Sequence, residues 1–482
     1  MKKPVLLWFR RDLRLADNPA LVAARASGAP IVPVYVWSPG DEGDWPPGAA
    51  SKAWLNRSLA SLASDLGARG SRLILRQGLA EDVLPRLAAE LQAQAVFANH
   101  VYEPASLTAE VRVGQALGKG GIELVASNAS LLLEPGSVRT QTGGPFQVFT
   151  PFWRACLGQM QLAPPTPKPT RLPSPETWPE SLDQSALPLW PGHPWAVSML
   201  SPWTPGEAGA QARLHAFCAE ALFHYPRGRD RPALDGVSRL SPYLHFGEIS
   251  PRQIWHAVMD RANLGPDGGA GEAGATEAFL RELGWREFSH QVLFHFPHTD
   301  KAPLRPRFAD FPWTRSPAHL RAWQQGRTGY PLVDAGMREL WATGFMHNRV
   351  RMVVASFLVK HLLLPWQEGA RWFWDTLVDA DLAQNSLNWQ WSAGCGADAA
   401  PYFRIFNPTT QAEKFDPEGA YIRRWVPELA ALPTRQLFSP WEVSAIELRA
   451  AGITLGKTYP KPIVDHATAR ARALAAFASL RR

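Results

Sequence analysis

The chain has 482 residues, of which 46% are hydrophobic and 19% charged; this balance excludes an intrinsically disordered protein and gives room for two or three domains. Its formal charge of +7 is compatible with a nucleic-acid partner but is weak evidence for one. The three widely spaced cysteines, Cys156, Cys218 and Cys395, argue against a disulfide framework, a closed zinc site and a four-thiolate iron–sulfur cluster.

The N-terminal segment MKKPVLLWFRRD lacks the pattern of a signal peptide, because Arg10 and Arg11 interrupt its apolar run. No apolar stretch of the sequence approaches the ~20 residues that a membrane-spanning helix needs. We therefore expect a cytoplasmic protein that has no membrane partner.

Short apolar runs alternate with longer amphipathic stretches in the first 130 residues. The stretch 51–70 has apolar residues three and four positions apart, which is typical of a helix. Strands flanked by such helices predict a five-stranded parallel sheet, doubly wound, in a Rossmann-like α/β domain over residues 1–130. No glycine-rich dinucleotide motif follows the first run, so we expect no dinucleotide there. The runs that predict strands lie at 5–9, 31–37, 72–76, 95–98 and 122–126.

A proline-rich segment follows over residues 131–200 and predicts an extended connector between domains, because a proline run sustains neither a helix nor a central strand. Its tryptophans Trp178, Trp190 and Trp195 indicate that it is held against the body of the protein. Helical periodicity dominates residues 201–482 and predicts an all-α domain. Within that domain we expect a surface loop at 264–275 and a terminal helix over the final ~30 residues.

Residues 345–411 carry the densest chemistry of the sequence. Arginines and amides open the segment, an apolar run follows, and tryptophans then recur between Trp366 and Trp391. This combination suits a pocket for a large flat ligand beside a polyanion, since apolar walls hold rings and a few polar groups orient them. Core packing is the alternative for each tryptophan taken alone.

Two further groups of polar residues are candidates for ligand contacts. SRLSPYLHFGEIS (238–250) predicts a loop that enters a helix, where hydroxyls and free N–H groups could bind phosphate or simply cap the helix. Asp379 and Asp381 could bind a metal or act as an acid–base pair. Their apolar neighbours, with no third oxygen-rich ligand nearby, argue against a metal.

Four separated motifs carry a family resemblance: WFRRDLRLADNPAL (8–21), SRLSPYLHFGEISPR (238–252), ELGWREF (282–288) and the segment 345–411. Their residues and order resemble the photolyase and cryptochrome family, and specifically a class III-like bacterial branch of the cyclobutane pyrimidine dimer DNA photolyases. The resemblance implies a helical FAD-binding catalytic domain and light-dependent repair of dimers in DNA, with electron transfer from photoexcited reduced FAD to a flipped-out dimer. A cryptochrome-type blue-light receptor with the same flavin and no repair is the alternative.

The resemblance assigns roles residue by residue. The FAD contacts that it implies are Tyr225, Ser238, Arg239, Leu240, Ser241, Phe279, Arg351, Asp379, Asp381 and Asn385. The catalytic residues that it implies are Glu282, Asn348, Met352 and Asn385. The electron-transfer residues are Trp389, Trp366 and Trp313, with Trp372 and Trp374 as a second branch. The residues that contact DNA or the lesion are Trp285, Arg286, Asn348, Arg349, Trp391 and Gln411.

Several of these roles have a direct physical reason. A protonated or polarised Glu282 can hydrogen-bond the dimer radical anion, and desolvation favours the protonated form. Trp285 and Trp391 can sandwich the extruded bases. The amide of Asn385 can donate to or accept from flavin N5, which a carboxylate cannot do equally. By the family resemblance, Asn385, Glu282 and Met352 favour repair over signalling.

The resemblance also implies an antenna chromophore in the α/β domain. It favours 5,10-methenyltetrahydrofolate, with Trp37 and Lys52 as contacts, while a deazaflavin and FMN stay open. UV-damaged DNA is the expected partner, the protein is expected to be a monomer, and no metal is expected.

Overall fold

The computed structural model describes residues 2–263, 270–399 and 403–480. By packing, the chain forms two compact units. The first unit consists of Met1–Phe223, Ser238–Pro297 and Val378–Ala383, and the second of His224–Val237, His298–Leu377 and Gln384–Arg482. The predicted segments 1–130, 131–200 and 201–482 follow the sequence rather than this packing, so their boundaries stay a prediction.

One parallel sheet lies in the first unit, and within the described residues it has five strands in the order β3-β2-β1-β4-β5. The strands are β1 (Val5–Phe9), β2 (Ile31–Trp37), β3 (Ile74–Gln77), β4 (Ala95–Asn99) and β5 (Glu123–Ser127). Val5 of β1 pairs with Ile31 of β2, and Leu6 pairs with Val96 of β4. β1 and β2 are buried at every residue, which is why they are continuous apolar runs. The predicted Rossmann-like sheet is confirmed.

Helices make up most of the remaining regular structure. In chain order the first are α1 (Pro19–Ala26), α2 (Ala49–Gly67), α3 (Ala80–Glu90), α4 (Pro104–Gly118), α5 (Phe149–Gln159), α6 (Pro194–Leu200), α7 (Glu207–Glu220), α8 (Tyr225–Gly228), α9 (Ser241–His245), α10 (Pro251–Asn263) and α11 (Ala270–His295). They continue with α12 (Pro317–Gln324), α13 (Pro331–Thr343), α14 (Asn348–Ser356), α15 (Trp366–Thr376), α16 (Leu382–Ala393), α17 (Pro408–Phe415), α18 (Ala420–Trp425), α19 (Thr434–Leu437), α20 (Ala445–Ala450) and α21 (His466–Ser479). The predicted helical second half is confirmed, and the chain ends in a helix. That helix, α21, covers only His466–Ser479 of the predicted final ~30 residues, and residues 453–465 are not helical, so the predicted length is wrong.

The proline-rich segment is not extended throughout, because it contains α5 and α6. Pro151 does not prevent α5, since it lies in the first turn, where its missing N–H has no intrahelical partner to lose. α5 packs closely on α11: a Cβ at Gly284 would lie 2.6 Å from Trp153 Cε3, so this contact requires glycine. The expected attachment to the body is present, since Trp178 packs on the sheet core and the Arg57 guanidinium lies 4.9 Å from the Trp190 ring centroid.

The loop predicted at 264–275 is only partly described. Residues 264–269 lie outside the described residues, whereas the chain from Ala270 onward is helical, so the loop prediction is wrong there. The alanines and glutamate of this stretch are good helix formers, and they outweigh its glycines. None of the helices in the described ranges is both long enough and apolar enough to span a bilayer.

Candidate functional site

The first unit holds the predicted phosphate contacts, where the chain enters α9. Arg239 has φ +52°, a left-handed conformation that non-glycine residues adopt at a cost of roughly 1 kcal/mol or more. Ser241 is the first residue of α9, and its hydroxyl donates to Asp379 Oδ2 at 2.6 Å. Ser238 accepts from Leu240 N through its hydroxyl. The predicted Ser238–Ser241 stretch and Asp379 therefore form one connected polar group.

Asp381 forms a second buried group in the same unit. Its Oδ2 lies 3.3 Å from His290 Nε2, and both side chains are about nine-tenths buried. Burial works to raise the pKa of Asp381, but His290 and Arg286 outweigh it and hold the pKa well below its ordinary value. Asp381 is therefore an anion at neutral pH.

Two buried imidazole nitrogens of this unit, His245 Nδ1 and His290 Nδ1, have no hydrogen-bond partner within the described part of the chain. Burial lowers the pKa of His245 to about 3, so its ring is neutral. Because an unsatisfied buried polar atom costs free energy, these two nitrogens fit a site that a polar ligand completes. The contact of Ser241 and Asp379 with FAD stays a prediction.

α11 carries the predicted lesion contacts of the first unit. Glu282 and Trp285 are half-buried, and Phe279 is buried against Phe217, with ring centroids 4.5 Å apart. The Trp285 ring stacks on Phe149 of α5, with centroids 3.8 Å apart and 9° between the planes. One face of the indole is thus covered by protein, and the predicted stacking of a base on Trp285 stays a prediction.

Arg286, predicted to face DNA, is held inside the first unit. Its Nη1 donates to Ser130 O at 2.6 Å, and its side chain is only 11% exposed. The neighbouring Glu287 accepts from the N–H groups of Leu132 and Leu133. Both contacts attach α11 to the chain that follows β5, so the contact of Arg286 with DNA stays a prediction.

In the second unit, the start of α14 presents three predicted residues. His347 caps the helix by accepting from Arg349 N through Nδ1, and Asn348, the first helical residue, is exposed. Arg349 donates to Asp230 Oδ1 through Nε at 3.1 Å and through Nη2 at 2.7 Å. Its Nη1 lies 3.6 Å from the sulfur of Met352. Asn348, Arg349 and Met352 thus lie within the first turns of one helix. The DNA contacts of Asn348 and Arg349 and the catalytic role of Met352 stay predictions.

A buried hydrogen-bond network centred on Glu339 stabilises the start of α14. Glu339 Oε2 accepts from His347 N at 3.3 Å and from the Tyr421 hydroxyl at 2.6 Å. Burial and the neighbouring carboxylate raise the pKa of Tyr421 well above its ordinary value, so it stays a donor. Arg351 Nε donates to Met346 O at 2.7 Å, and the predicted contact of Arg351 with FAD stays a prediction.

The predicted electron-transfer tryptophans lie in the second unit and differ in burial. Trp389 and Trp366 are each 2% exposed, whereas Trp313 is half-buried. Trp389 packs edge-on against Phe373, with centroids 5.0 Å apart, and Gly369 is needed because a Cβ there would overlap the indole. Two of the three tryptophans are thus equally buried and the third is half-buried, and their role in electron transfer stays a prediction.

The second predicted branch also shows a change in exposure. Trp374 is buried and Trp372 is half-buried. Trp372 stacks on the largely exposed Trp341, with centroids 6.0 Å apart and 6° between the planes.

The remaining predicted residues of this unit lie on α8, α16 and α17. Asn385 is buried, and its Nδ2 donates to Ala370 O at 2.9 Å, which fixes the orientation of the amide. Trp391 is half-buried and lines a small pocket with Lys360 and Arg404. Tyr225 is buried and Gln411 is half-buried.

The predicted antenna residues lie at the carboxyl side of the sheet. Trp37 ends β2 and is buried, and Lys52 is half-buried on α2. At the same edge the guanidinium of Arg11 bonds Glu103 and lies 2.8 Å from Glu42. Ion pairs therefore fill part of the edge where parallel sheets usually bind ligands.

Sequence reasoning missed three side chains of these groups: His290, Asp230 and Phe149. His290 could have been found, because it follows Glu282 and Arg286 at intervals of four and so shares their helix face. Asp230 lies 119 positions from Arg349, and Phe149 lies in the proline-rich segment; neither has a local signal.

Comparisons with known proteins cover the whole chain. A family model described as the FAD binding domain of DNA photolyase matches residues 279–479, and one described as DNA photolyase matches residues 5–173. The deoxyribodipyrimidine photo-lyase of Agrobacterium fabrum is 46% identical over 99% of this chain and 98% of its own length. Cryptochrome-2 of Arabidopsis thaliana is 41% identical over 98% of this chain and 78% of its own length.

Solved structures give the same two classes. A bacterial class III photolyase from Agrobacterium tumefaciens matches with a TM-score of 0.95 and 46% identity, covering 100% of this chain and 98% of that chain. A cryptochrome of Synechocystis matches with a TM-score of 0.88 and 32% identity, covering 98% of both chains.

Proposed function

The chain belongs to the photolyase and cryptochrome family, and from that premise we propose that it is a light-dependent lyase that splits cyclobutane pyrimidine dimers in DNA. The observation that carries the proposal is the start of α14. There the exposed Asn348, the oriented Arg349 and Met352 form one surface suited to a base amide and a phosphate. The full-length similarity to a deoxyribodipyrimidine photo-lyase supports the same substrate.

FAD is the cofactor that the matched FAD-binding domain indicates. When bound and reduced, FAD supplies the photoexcited electron that opens the cyclobutane ring. In the first unit, Ser238, Arg239 and Ser241 would contact its phosphates, and Asp379 would orient Ser241. In the second unit, Asn385 would present its amide oxygen and the second N–H of Nδ2, because only one N–H is bonded to Ala370 O.

The chain's own residues would bind and orient the extruded dimer. Trp285 and Trp391 would stack on its bases, each stack contributing roughly 1–3 kcal/mol towards the cost of extrusion. Phe149 keeps the Trp285 ring in a fixed plane, so little order has to be gained on binding. Glu282 would donate a hydrogen bond to a carbonyl of the dimer, and Asn348 would bind a second polar edge.

Trp389, Trp366 and Trp313 would conduct electrons between the protein interior and solvent. The half-buried position of Trp313, compared with the buried Trp389 and Trp366, supports this direction, and Trp372 with Trp374 would give a second route. The tryptophans of both routes also pack against neighbouring side chains, so each has a structural role as well.

For the antenna, 5,10-methenyltetrahydrofolate near Trp37 and Lys52 is the proposed chromophore. The family resemblance supports this choice, and a deazaflavin or FMN is the alternative. Chromophores released by denaturing the purified protein, identified by mass spectrometry, test the choice. A released deazaflavin or FMN would overturn it.

The function is tested with an oligonucleotide that contains one thymine dimer. Purified protein with FAD and a thiol reductant should restore the intact thymines under blue light and leave the dimer unchanged in the dark, as resolved by chromatography. A protein that takes up FAD but never repairs the dimer would be a photoreceptor instead. The 41% identity to an Arabidopsis cryptochrome makes that the second candidate. Monomeric state and cytoplasmic location stay predictions.

A further inference from the structure

Asp230 is not part of the predicted site, yet it makes the best-defined contact of Arg349. Both Nε and Nη2 of the guanidinium donate to one oxygen, Asp230 Oδ1. The pair is partly open to solvent, with side-chain exposures of 21% for the arginine and 37% for the aspartate. A charge-assisted contact of this kind is strong and directional.

Other groups hold the guanidinium from its remaining sides. Its carbon lies 4.4 Å from the centroid of the Phe415 ring, and Nη1 lies near the Met352 sulfur. Phe415 is buried on α17, so this support does not depend on Asp230. Arg349 should therefore keep its place when the aspartate loses its charge.

The two ends of the loop that carries Asp230 approach each other closely at Gly228 and Gly236. A Cβ at Gly236 would lie 2.8 Å from the backbone of Gly228, so the two glycines let the chain return on itself. The two bonds from Arg349 to Asp230 Oδ1 then place the aspartate of this short loop beside the first turn of α14.

We propose that Asp230 sets the DNA affinity of this protein by competing with phosphate for Arg349. The inference rests on the proposed function, because it takes Arg349 to be a DNA contact. While Asp230 is paired, the arginine is oriented but largely neutralised, so a phosphate gains less than a full positive charge. The acid thereby weakens binding to any DNA, and the dimer must be recognised through stacking and base contacts.

The test is Asp230→Asn, which keeps an oxygen to accept from Arg349 and removes the negative charge. Fluorescence anisotropy on duplexes with and without a dimer should show affinity about threefold to fivefold higher for both. The slope of log K against log salt should become steeper by up to about 0.9, as one more phosphate is neutralised. The ratio of damaged to undamaged affinity should stay unchanged.

Glu428→Gln is the matched control. It breaks the ion pair of Arg338 with Glu428, at 2.8 Å and exposures of 25% and 24%, and adds the same charge to the same unit. Thermal unfolding of both variants with FAD bound checks that each is folded. Equal effects of the two substitutions on DNA affinity would overturn the proposal, because net charge alone would then explain them.

Introducing Asp230→Asn into an Arg349→Ala protein tests whether the effect of Asp230 depends on Arg349. At 150 mM salt, where charges more than ~8 Å apart are screened, the gain from Asp230→Asn should fall to less than half in an Arg349→Ala protein. An undiminished gain would show that Asp230 acts as a separate charge. A wild-type protein that binds no DNA would refute the proposed function instead, so the two failures are distinguishable.

Discussion

Two charge clusters in different units have similar residues but different partner sets. In the sheet-edge cluster (Arg11, Glu42, Glu103), one guanidinium meets two carboxylates, and the exposures of Arg11 and Glu103 are only 17% and 4%. In the α14 cluster (Asp230, Arg349, with Met352 and Phe415), one guanidinium meets one carboxylate that is 37% exposed. The first cluster is closed within the protein, whereas the second can exchange its acid for an outside anion.

A charged residue beside a candidate site is therefore not by itself evidence that the site binds a ligand. Burial works to lower the pKa of Arg11, but Glu103 and Glu42 outweigh it and raise the pKa. Such a cluster stabilises structure only while it is complete, since a buried charge left without its partner is costly. An incomplete, half-exposed pair costs less to open and is the better candidate for recognition.

Opening the closed cluster should produce the largest effect. Glu103→Gln leaves Arg11 with Glu42 alone and should lower the free energy of unfolding by roughly 3 kcal/mol. Urea titration of the FAD-bound protein measures this change. Glu81→Gln is the control, because the Arg112–Glu81 pair is exposed by 41% and 29% and should contribute within about 1 kcal/mol. Similar losses in both variants would remove the distinction between closed and open pairs.

Burial within the protein should also affect stability where the buried groups are neutral. The second unit contains a neutral pair, His361 and His466. His361 Nε2 lies 2.8 Å from His466 Nδ1, and burial lowers the pKa of His361 to about 3. The unfolded side chain binds its proton near pH 6.5, so the contribution of His361 is complete above pH 6.5 and is lost as the pH falls towards 3. At pH 5 the loss should be about 2 kcal/mol.

His361→Gln tests this, because it keeps a polar side chain that does not titrate. Unfolding free energies at pH 7.5, 6 and 5 should fall less steeply in the variant than in the wild type. Parallel pH profiles for the two proteins would show that His361 is not the group responsible.

Sequence reasoning predicted what depends on local pattern. Each predicted strand lies within two residues of an observed one, because continuous apolar runs such as 31–37 are set by burial on both faces. The partner of Arg349 could not be predicted, since Asp230 is brought to it by the packing of a distant loop. The closed sheet-edge cluster was missed for the same reason.

Substitutions at Arg349, in the α14 cluster, and at Trp391 should distinguish binding to phosphates from binding to the dimer. Arg349→Ala should weaken damaged and undamaged DNA alike, by up to about tenfold, because phosphates are common to both. Trp391→Ala should reduce mainly the preference for damage, by about tenfold, since stacking of ~1–3 kcal/mol per base needs an extruded dimer. Anisotropy titrations with both duplexes measure the two effects, and equal changes in selectivity would contradict this division.

The smallest expected effect concerns two acids of α11, Glu287 and Glu282. One is closed within the protein and the other is more exposed, as in the two charge clusters. Glu287 is buried and accepts from Leu132 N and Leu133 N, and burial raises its pKa to about 7. Glu282, five positions earlier, is half-buried and has the predicted catalytic role. Glu287 is thus closed within the protein, whereas Glu282 is the more exposed acid and the one proposed to contact a dimer.

Glu282→Ala should keep FAD and DNA binding and lower the repair yield per absorbed photon several-fold. The reason is that its hydrogen bond strengthens as charge develops on the dimer, so the loss falls on the reaction more than on ground-state affinity. Glu282→Gln should recover part of the yield, because an amide can still donate. Glu287→Gln should instead lower stability and leave the yield per photon of the folded protein unchanged. The measurement is repair of a dimer-containing oligonucleotide under counted photons; an unchanged yield in Glu282→Ala would remove this residue from the catalytic set.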